Sequence, residues 1–417
     1  MVKGEAIRSH FHSVKVTSLL PASTCSRPAS TGSNRMKYST TLEVVHMLGP
    51  CSPNHEHTKN KPSLPDILSH DQSKLDSIQA QSKQIFLRNN KVMLPTQFGL
   101  SLNIPAYVVT IGLGTPPQNV TLIIDSGSDV TWTQCHPCLK CYNQRDPVIQ
   151  NALSPVTSYP ASEVGAPTQD TMPMVRTLME WYFVFGCGQF NEGLFGETSG
   201  ILGLARTSFE MSFLDQTAQK YERYFSYCFP STVSSTGHLI FGRKKSKYST
   251  KNVKFIPLIP DPTFYRVEIV AISIGRTRLS IHPSVFQNPG TIIDSGAVIT
   301  HLPQEAYVKL RNALKDMMGS SYPTAPAYLN MDTCYYINNH TNVQYPFVSF
   351  TFGGGVEVQL HPSGIVAAVS STMVCLAFTG NTDPNKHTVF GNMQQRTFEM
   401  VYDVARERLG FGQGGCE

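Results

Sequence analysis

A chain of 417 residues is long enough for two or three ordinary domains. It is 41% hydrophobic and only 15% charged, with 30 Gly and 28 Pro, which argues against coiled coil and long surface helices and suits a β-rich protein with many turns. Collagen-like and fully disordered readings fail on composition, and the net charge of +5 comes from residues 1–100, leaving a nearly neutral body with no basic face for nucleic acid.

Along the chain, residues 1–20 hold Lys3, Arg8 and Lys15 but no apolar core of a secretory signal. Residues 21–63 are rich in Ser, Thr, Pro and Asn and are expected to lack stable structure. Asp66 to Arg88 reads as a helix, with Ile67, Leu75, Ile78 and Ile85 recurring near one face and no Gly or Pro. From Tyr107 the period changes. Tyr107 to Ile111 and Val120 to Ile124 read as strands around a Gly/Pro turn. Asn151 to Thr177 holds Pro155, Pro160, Pro167 and Pro173 and reads as irregular loop, followed by a strand over Trp181–Phe185. The basic run Arg243 to Lys247 reads as a solvated hairpin loop. One clear helix is expected over Gln304–Met318, with Tyr307, Leu310, Leu314 and Met317 on its apolar face and Pro303 leading it. No run of about 18 apolar residues offers a membrane span.

The body contains an internal repeat. Leu122-Ile123-Ile124-Asp125-Ser126-Gly127-Ser128 returns as Thr291-Ile292-Ile293-Asp294-Ser295-Gly296-Ala297. Each copy is followed later by apolar residues that end in Gly, at Gly200 to Leu204 and at Thr388 to Asn392. One Asp-Ser-Gly is an ordinary turn. Two, each behind an apolar strand and each with its own apolar-Gly partner, point to a duplicated site.

The ten cysteines are scattered through a chain of low charge, which suggests disulfides and an oxidising compartment. Cys135-x-x-Cys138-x-x-Cys141 has a spacing that thiolates could use on zinc, but no second metal-type pair follows, so no metal is expected. Asn119 and Asn339 head two glycosylation sequons.

In family order the chain carries LEVVH in its leader, YVVTIGLGTPPQ, DSGSDVTWTQC, FGCG, GLFGETSGILGLAR, FSYCFP, GHLIFG, FYRVEIVAISIG, TIIDSGAVITHLP, MDTCYY, VCLAF, VFGNMQQRTFEMVYD and LGFGQGGC. This series, from about Ser18 to Cys416, resembles the pepsin-like aspartic endopeptidases, specifically the plant nepenthesin-like group. The resemblance implies an all-β, two-lobed fold with the active site between the lobes. It also implies cleavage of peptide bonds at acid pH, often after removal of a prosegment, and an extracellular or vacuolar place. The expected division is a leader and prosegment remnant over 1–100, a shortened N-terminal lobe over 101–265 and a C-terminal lobe over 266–417. The expected partner is a peptide or protein substrate, with no cofactor, and the chain is expected to be a monomer. The disulfides Cys334–Cys375 and Cys228–Cys416 carry over from the resemblance, while the pairing of Cys135, Cys138, Cys141 and Cys187 stays open.

Hydrolysis without a covalent intermediate needs an activated water and an acid for the leaving nitrogen. As established for aspartic proteases, two carboxylates in near contact cannot both ionise, so one pKa rises and the other falls, and the pair supplies both roles. Asp125 and Asp294 are the repeat-related acids. Gly127 and Gly296 let backbone approach each carboxylate. The resemblance implies that the Ser126 and Ser295 hydroxyls bond across the lobe junction. Ser128 can hydrogen-bond its own carboxylate, whereas its counterpart is Ala297, which should leave the pair's upper pKa raised. The chain departs from the family upstream. No Tyr-Gly-Asp-Gly-Ser-like flap motif lies between Cys141 and Gly186, and the first lobe is the shorter of the two. The basic leader is expected to lie over the acidic cleft through Lys83, Arg88 and Lys91, near Phe98. A relative that binds a protein in its cleft, or inhibits another enzyme, is the alternative to a protease.

Overall fold

The computed structural model describes residues 11–19, 23–27, 41–53, 74–76, 78, 107–114, 117–150, 168–171, 182–191, 195–206, 212–243, 252–338 and 340–416. Val- and Ile-rich runs bounded by Gly and Pro form strands, as their branched side chains pack well on a pleated surface. Tyr107–Leu113 and Gln118–Asp125 pair antiparallel, with Val108 opposite Ile123 and Val109 opposite Leu122. They lie in a 13-stranded sheet that runs on through Gly200–Gly203, Trp132–His136, Tyr182–Gly188 and Thr168–Thr171. Its other end holds Thr236–Phe241, Tyr224–Cys228, Glu399–Asp403, Arg408–Gly412 and Lys254–Pro257. The C-terminal residues therefore join the first lobe's sheet, and the Cys228–Cys416 disulfide ties the chain end to it.

The second lobe is built from a five-stranded sheet and two four-stranded sheets. Helix Gln304–Met318 packs on it, burying Ala306, Tyr307, Leu310, Leu314 and Met318. Met318, not Met317, completes the buried stripe, because four steps from Leu314 bring the chain back nearer the same face than three steps, which fall about 60° short of a full turn. The fold is all-β and two-lobed, of the pepsin-like kind.

The repeat governs the architecture. Asp125 pairs in parallel with Gly203, and Ile293 in parallel with Phe390, so each acidic strand lies beside its own apolar-Gly strand. The loops that follow the two acidic strands meet at the junction of the lobes.

The described residues that precede Tyr107 are built into the body. Thr41–His46 lies antiparallel between Thr236–Phe241 and Tyr107–Leu113 and buries Leu42, Val44 and Val45. Phe11–Lys15 adds to the second lobe beside Asn342–Pro346. A disulfide between Cys25 and Cys51 closes this N-terminal segment on itself. Of the helix expected over 66–88, residues 74–76 and 78 are described, and they are helical.

The stretch over 21–63, expected to lack stable structure, instead supplies the strand Thr41–His46, because Leu42, Val44 and Val45 find a core to fill. Further expectations are corrected. Part of the stretch from Asn151 to Thr177 is not irregular: Thr168–Thr171 pairs antiparallel with Tyr182–Phe185, because backbone ladders tolerate a Pro placed just outside the strand. The strand expected at Trp181–Phe185 runs over Tyr182–Gly188. Arg243 is not a solvated loop residue. Its Nη1 donates to Asp403 Oδ2 at 3.0 Å and its Nε to Glu222 Oε2 at 2.9 Å. Asp403 is fully buried, and a buried carboxylate needs such a partner. Lys244, Lys245 and Lys247 lie outside the described residues.

The remaining cysteines pair as Cys334–Cys375, Cys135–Cys187 and Cys138–Cys141. Disulfides thus take up the three thiols whose spacing would otherwise suit zinc.

Candidate active site at the lobe junction

Leu122, Ile123 and Ile124 are buried, and the strand delivers Asp125 into the junction with 4% of its surface exposed. Ile292 and Ile293 do the same for Asp294, which is fully buried. Each carboxylate then accepts the N–H two residues on. Gly127 N donates to Asp125 Oδ1 at 2.9 Å, and Gly296 N to Asp294 Oδ1 at 2.8 Å. The two loops also clasp each other. Ser126 N donates to Ser295 Oγ at 2.8 Å and Ser295 N to Ser126 Oγ at 2.9 Å, while Ser295 Oγ donates to Ile124 O at 3.1 Å. These reciprocal bonds fix each acid relative to the other lobe.

The glycines are required by contact. A Cβ on Gly127 would stand 2.9 Å from Asp294 Oδ2, and one on Gly296 would stand 2.5 Å from Asp125 Oδ1. Each loop lies against the carboxylate of the opposite copy, and only a residue without a side chain permits this approach.

The carboxylates differ in their surroundings. Ser128 Oγ donates to Asp125 Oδ2 at 2.5 Å. Ala297 gives Asp294 no such bond, and Asp294 Oδ2 is buried with no hydrogen-bond partner. Burial pushes Asp294 up and the neighbouring Asp125 charge adds to this, so despite Lys74 its pKa rises to about 6. Burial opposes ionisation of Asp125 as well. There the Lys74 charge, the Ser128 hydroxyl and the Gly127 N–H outweigh it and hold the pKa below the usual range.

Lys74 is the residue that sequence reasoning missed. Its Nζ lies 2.6 Å from Asp125 Oδ1 and 3.2 Å from Asp294 Oδ1. Burial alone would lower its pKa, but the two carboxylates raise it, so it stays an ammonium. Leu75 and Ile78, on the same helical segment, are buried against Phe264, Ile292, Ala297 and Val389. Lys386 Nζ bonds Asp76 Oδ1 at 2.5 Å. In the sequence Lys74 stands beside Leu75 at the margin of the apolar face, which by itself does not set it apart from a solvated lysine. Lys83, Arg88, Lys91 and Phe98 lie outside the described residues.

Of the sequon residues, Asn119 is exposed on its strand, and Asn339 lies outside the described residues. The flap question falls mostly on residues 151–167 and 172–181, which also lie outside them. No helix among the described residues is long and apolar enough to cross a membrane.

Ala297→Ser offers a direct check on the asymmetry. A hydroxyl placed like that of Ser128 would donate to the unpaired Asp294 oxygen and favour its ionised form. The upper limb of the pH–rate profile should then move to lower pH by about one unit. An unmoved limb in a folded variant would show that the missing hydroxyl does not set that pKa.

Comparison with known proteins places this geometry. Residues 264–413 match the family described as Xylanase inhibitor C-terminal, and residues 107–162 and 156–243 that described as Xylanase inhibitor N-terminal. The chain is 38% identical to the aspartyl protease family protein At5g10770 of Arabidopsis thaliana, across 97% of this chain and 93% of that protein. It is 37% identical to the aspartyl protease AED1 of the same plant, across 97% and 92%. Nepenthesin-1 of Nepenthes gracilis is 29% identical over 74% of this chain and 78% of its own. Among solved structures, EDGP superposes with a TM-score of 0.59 and the basic 7S globulin of soybean with 0.55. Each is 17% identical and covers 74% of this chain, and 92% and 93% of its own chain respectively. At that identity these two speak for the fold alone.

Proposed function

Since this chain belongs to the plant pepsin-like aspartic protease family, we propose that it is an endopeptidase in which Asp125 and Asp294 activate a water to hydrolyse peptide bonds at acid pH. The observation that carries this reading is the convergence of two duplicated loops on one cation, with both carboxylates bonded to Lys74 Nζ. A pair that close shares one proton at working pH. The ionised member takes a proton from water as general base and later passes it to the leaving nitrogen, and the protonated member polarises the scissile carbonyl. The unequal surroundings of the two acids support Asp294 as the member that keeps the proton.

Residues 1–100 act, in this reading, as the leader of a zymogen. Lys74 commits both carboxylates to an ammonium, and its helical segment covers the junction. Lobes over 101–265 and 266–417, a monomeric state, glycosylation at Asn119 and an extracellular or vacuolar place complete the proposal. The disulfides fit the oxidising compartment this requires.

A second reading has its own observation. The sequence lacks a flap motif, and the matched family's description names an inhibitor. A flap excludes water from the scissile bond and positions the substrate backbone, and poor positioning alone can cost about 10²-fold. One comparison separates the readings. The chain and a form carrying a complete hairpin from a relative between Asn151 and Trp181 are refolded alike and given one unstructured protein at acid pH. The grafted form should be faster by about 10²-fold. Equal rates would mean that another segment covers the cleft. No hydrolysis by either form would favour the binding module.

A further inference from the structure

The leader meets the body through two strands, and each brings a histidine to a group of basic side chains. Thr41–His46 ends on His46, which is 3% exposed. Its ring stands edge-on to Tyr107 of the first body strand, 5.5 Å between centres, and its Nδ1 accepts the Leu48 N–H at 3.3 Å. Phe11–Lys15 carries His12, edge-on to Phe347 at 4.3 Å and tilted against Tyr345 at 5.9 Å. His12 Nε2 is buried with no hydrogen-bond partner.

Arg396, just beyond the short helix Asn392–Gln395, faces the cluster. Its Nε donates to Tyr107 Oη at 3.0 Å and its Nη1 to Ser363 O at 3.3 Å. Its charge acts on His46 and on His361, and His361 acts on His12. The leader thus contributes two imidazoles, and the body one imidazole and one guanidinium. Among the described residues no carboxylate acts on any of the three histidines.

We propose that His46 and His12 form an acid latch: the leader strands stay docked while both rings are neutral, and protonation beside Arg396 and His361 drives them off the body. The proposal deepens the reading of residues 1–100 as a blocking leader and rests on it. It adds a trigger that is independent of the Lys74 ion pair.

The sign follows from burial. Burial, then Arg396, hold docked His46 at about 3, and burial, then His361, hold docked His12 at about 4, against 6.5 for a free ring. Neutral rings dock without penalty above pH 6.5. As pH falls below that value the released leader binds protons that the docked leader refuses, so docking weakens toward pH 3. At pH 4.5 His46 alone lowers the docking equilibrium by about 10²-fold. His12 is only half-buried and adds a smaller factor.

The test needs no proteolysis. In an Asp294→Asn background, which cannot cleave itself, amide exchange of residues 41–46 is followed at pH 7.5 and 4.5 and corrected for intrinsic rates. Protection of that strand should fall by about 10²-fold more in the parent than in His46→Phe, with His12→Phe retaining part of the difference. His46→Gln, neutral at every pH, guards against a packing fault at Phe. If both substitutions at position 46 lose protection already at pH 7.5, proton NMR titration of the parent decides. Histidine rings of the docked leader titrating below pH 5 support the latch, and rings titrating near 6.5 overturn it. Equal acid loss in parent and variants also overturns it. Because the background is inactive, a failed latch leaves the protease reading untouched, and a failed protease reading leaves this measurement intact.

Discussion

Replacing Asp125 or Asp294 with Asn should abolish hydrolysis while leaving the fold in place. Each acid has a proton-transfer role that an amide cannot fill, and loss of such a role costs about 10²–10⁴-fold by itself. Losing the shared proton as well removes the other acid's function, so the two single variants should be equally dead, and the double variant no worse. The fold should survive because Asn is nearly isosteric and its carbonyl oxygen can keep the bond from Gly127 N or Gly296 N. The two variants differ in stability. Asp294→Asn removes a carboxylate whose ionisation burial opposes, so its melting temperature at neutral pH should hold or rise. Asp125→Asn takes away the closer partner of Lys74 and should melt lower. Rates on an unstructured protein, with thermal melts of the same samples, check both points. Either variant retaining the parent rate would remove the dyad from the mechanism.

The sequence exposed what repeats and what alternates. Two copies of an apolar strand ending in Asp-Ser-Gly, each with its apolar-Gly partner, gave both acids, both glycines and the two-lobed plan, because a duplicated loop can be seen without coordinates. Helix Gln304–Met318 was legible from its period and its leading Pro. Lys74 was not, because a single ammonium beside an apolar face looks like any solvated lysine until the fold shows what it faces. Arg243 failed for the same reason: its partners Asp403 and Glu222 are remote in sequence or ordinary in type. LEVVH carries part of the family pattern, yet the stretch around it reads as unstructured, and nothing local says that Thr41–His46 fills the gap between Thr236–Phe241 and Tyr107–Leu113. Strand partners distant in sequence are a tertiary property, and a six-residue run does not name its neighbours.

Lys74→Gln should release the dyad at less acid pH. In the parent at neutral pH, both carboxylates are held ionised around one buried ammonium. As pH falls through about 6 Asp294 takes up a proton, and only Asp125 still attracts Lys74. The ion pair therefore weakens on acidification, and the leader should begin to be cut where Asp294 becomes neutral. Gln at position 74 removes the charge at every pH. It also removes the influence that pulls both acid pKa values down, so the pair should share its proton at higher pH than in the parent. Leu75 and Ile78 still pack on Phe264, Ile292, Ala297 and Val389, so the segment is loosened and not expelled. At pH 6 the variant should hydrolyse an unstructured substrate faster by at least about tenfold, since a buried charged hydrogen bond of about 1.5–3 kcal/mol no longer holds the plug. N-terminal sequencing of samples held at that pH should find cleavage between residues 54 and 106 sooner than in the parent. If the variant keeps the parent's lag and pH threshold, the apolar contacts of Leu75 and Ile78 close the junction, and the ammonium merely fills it.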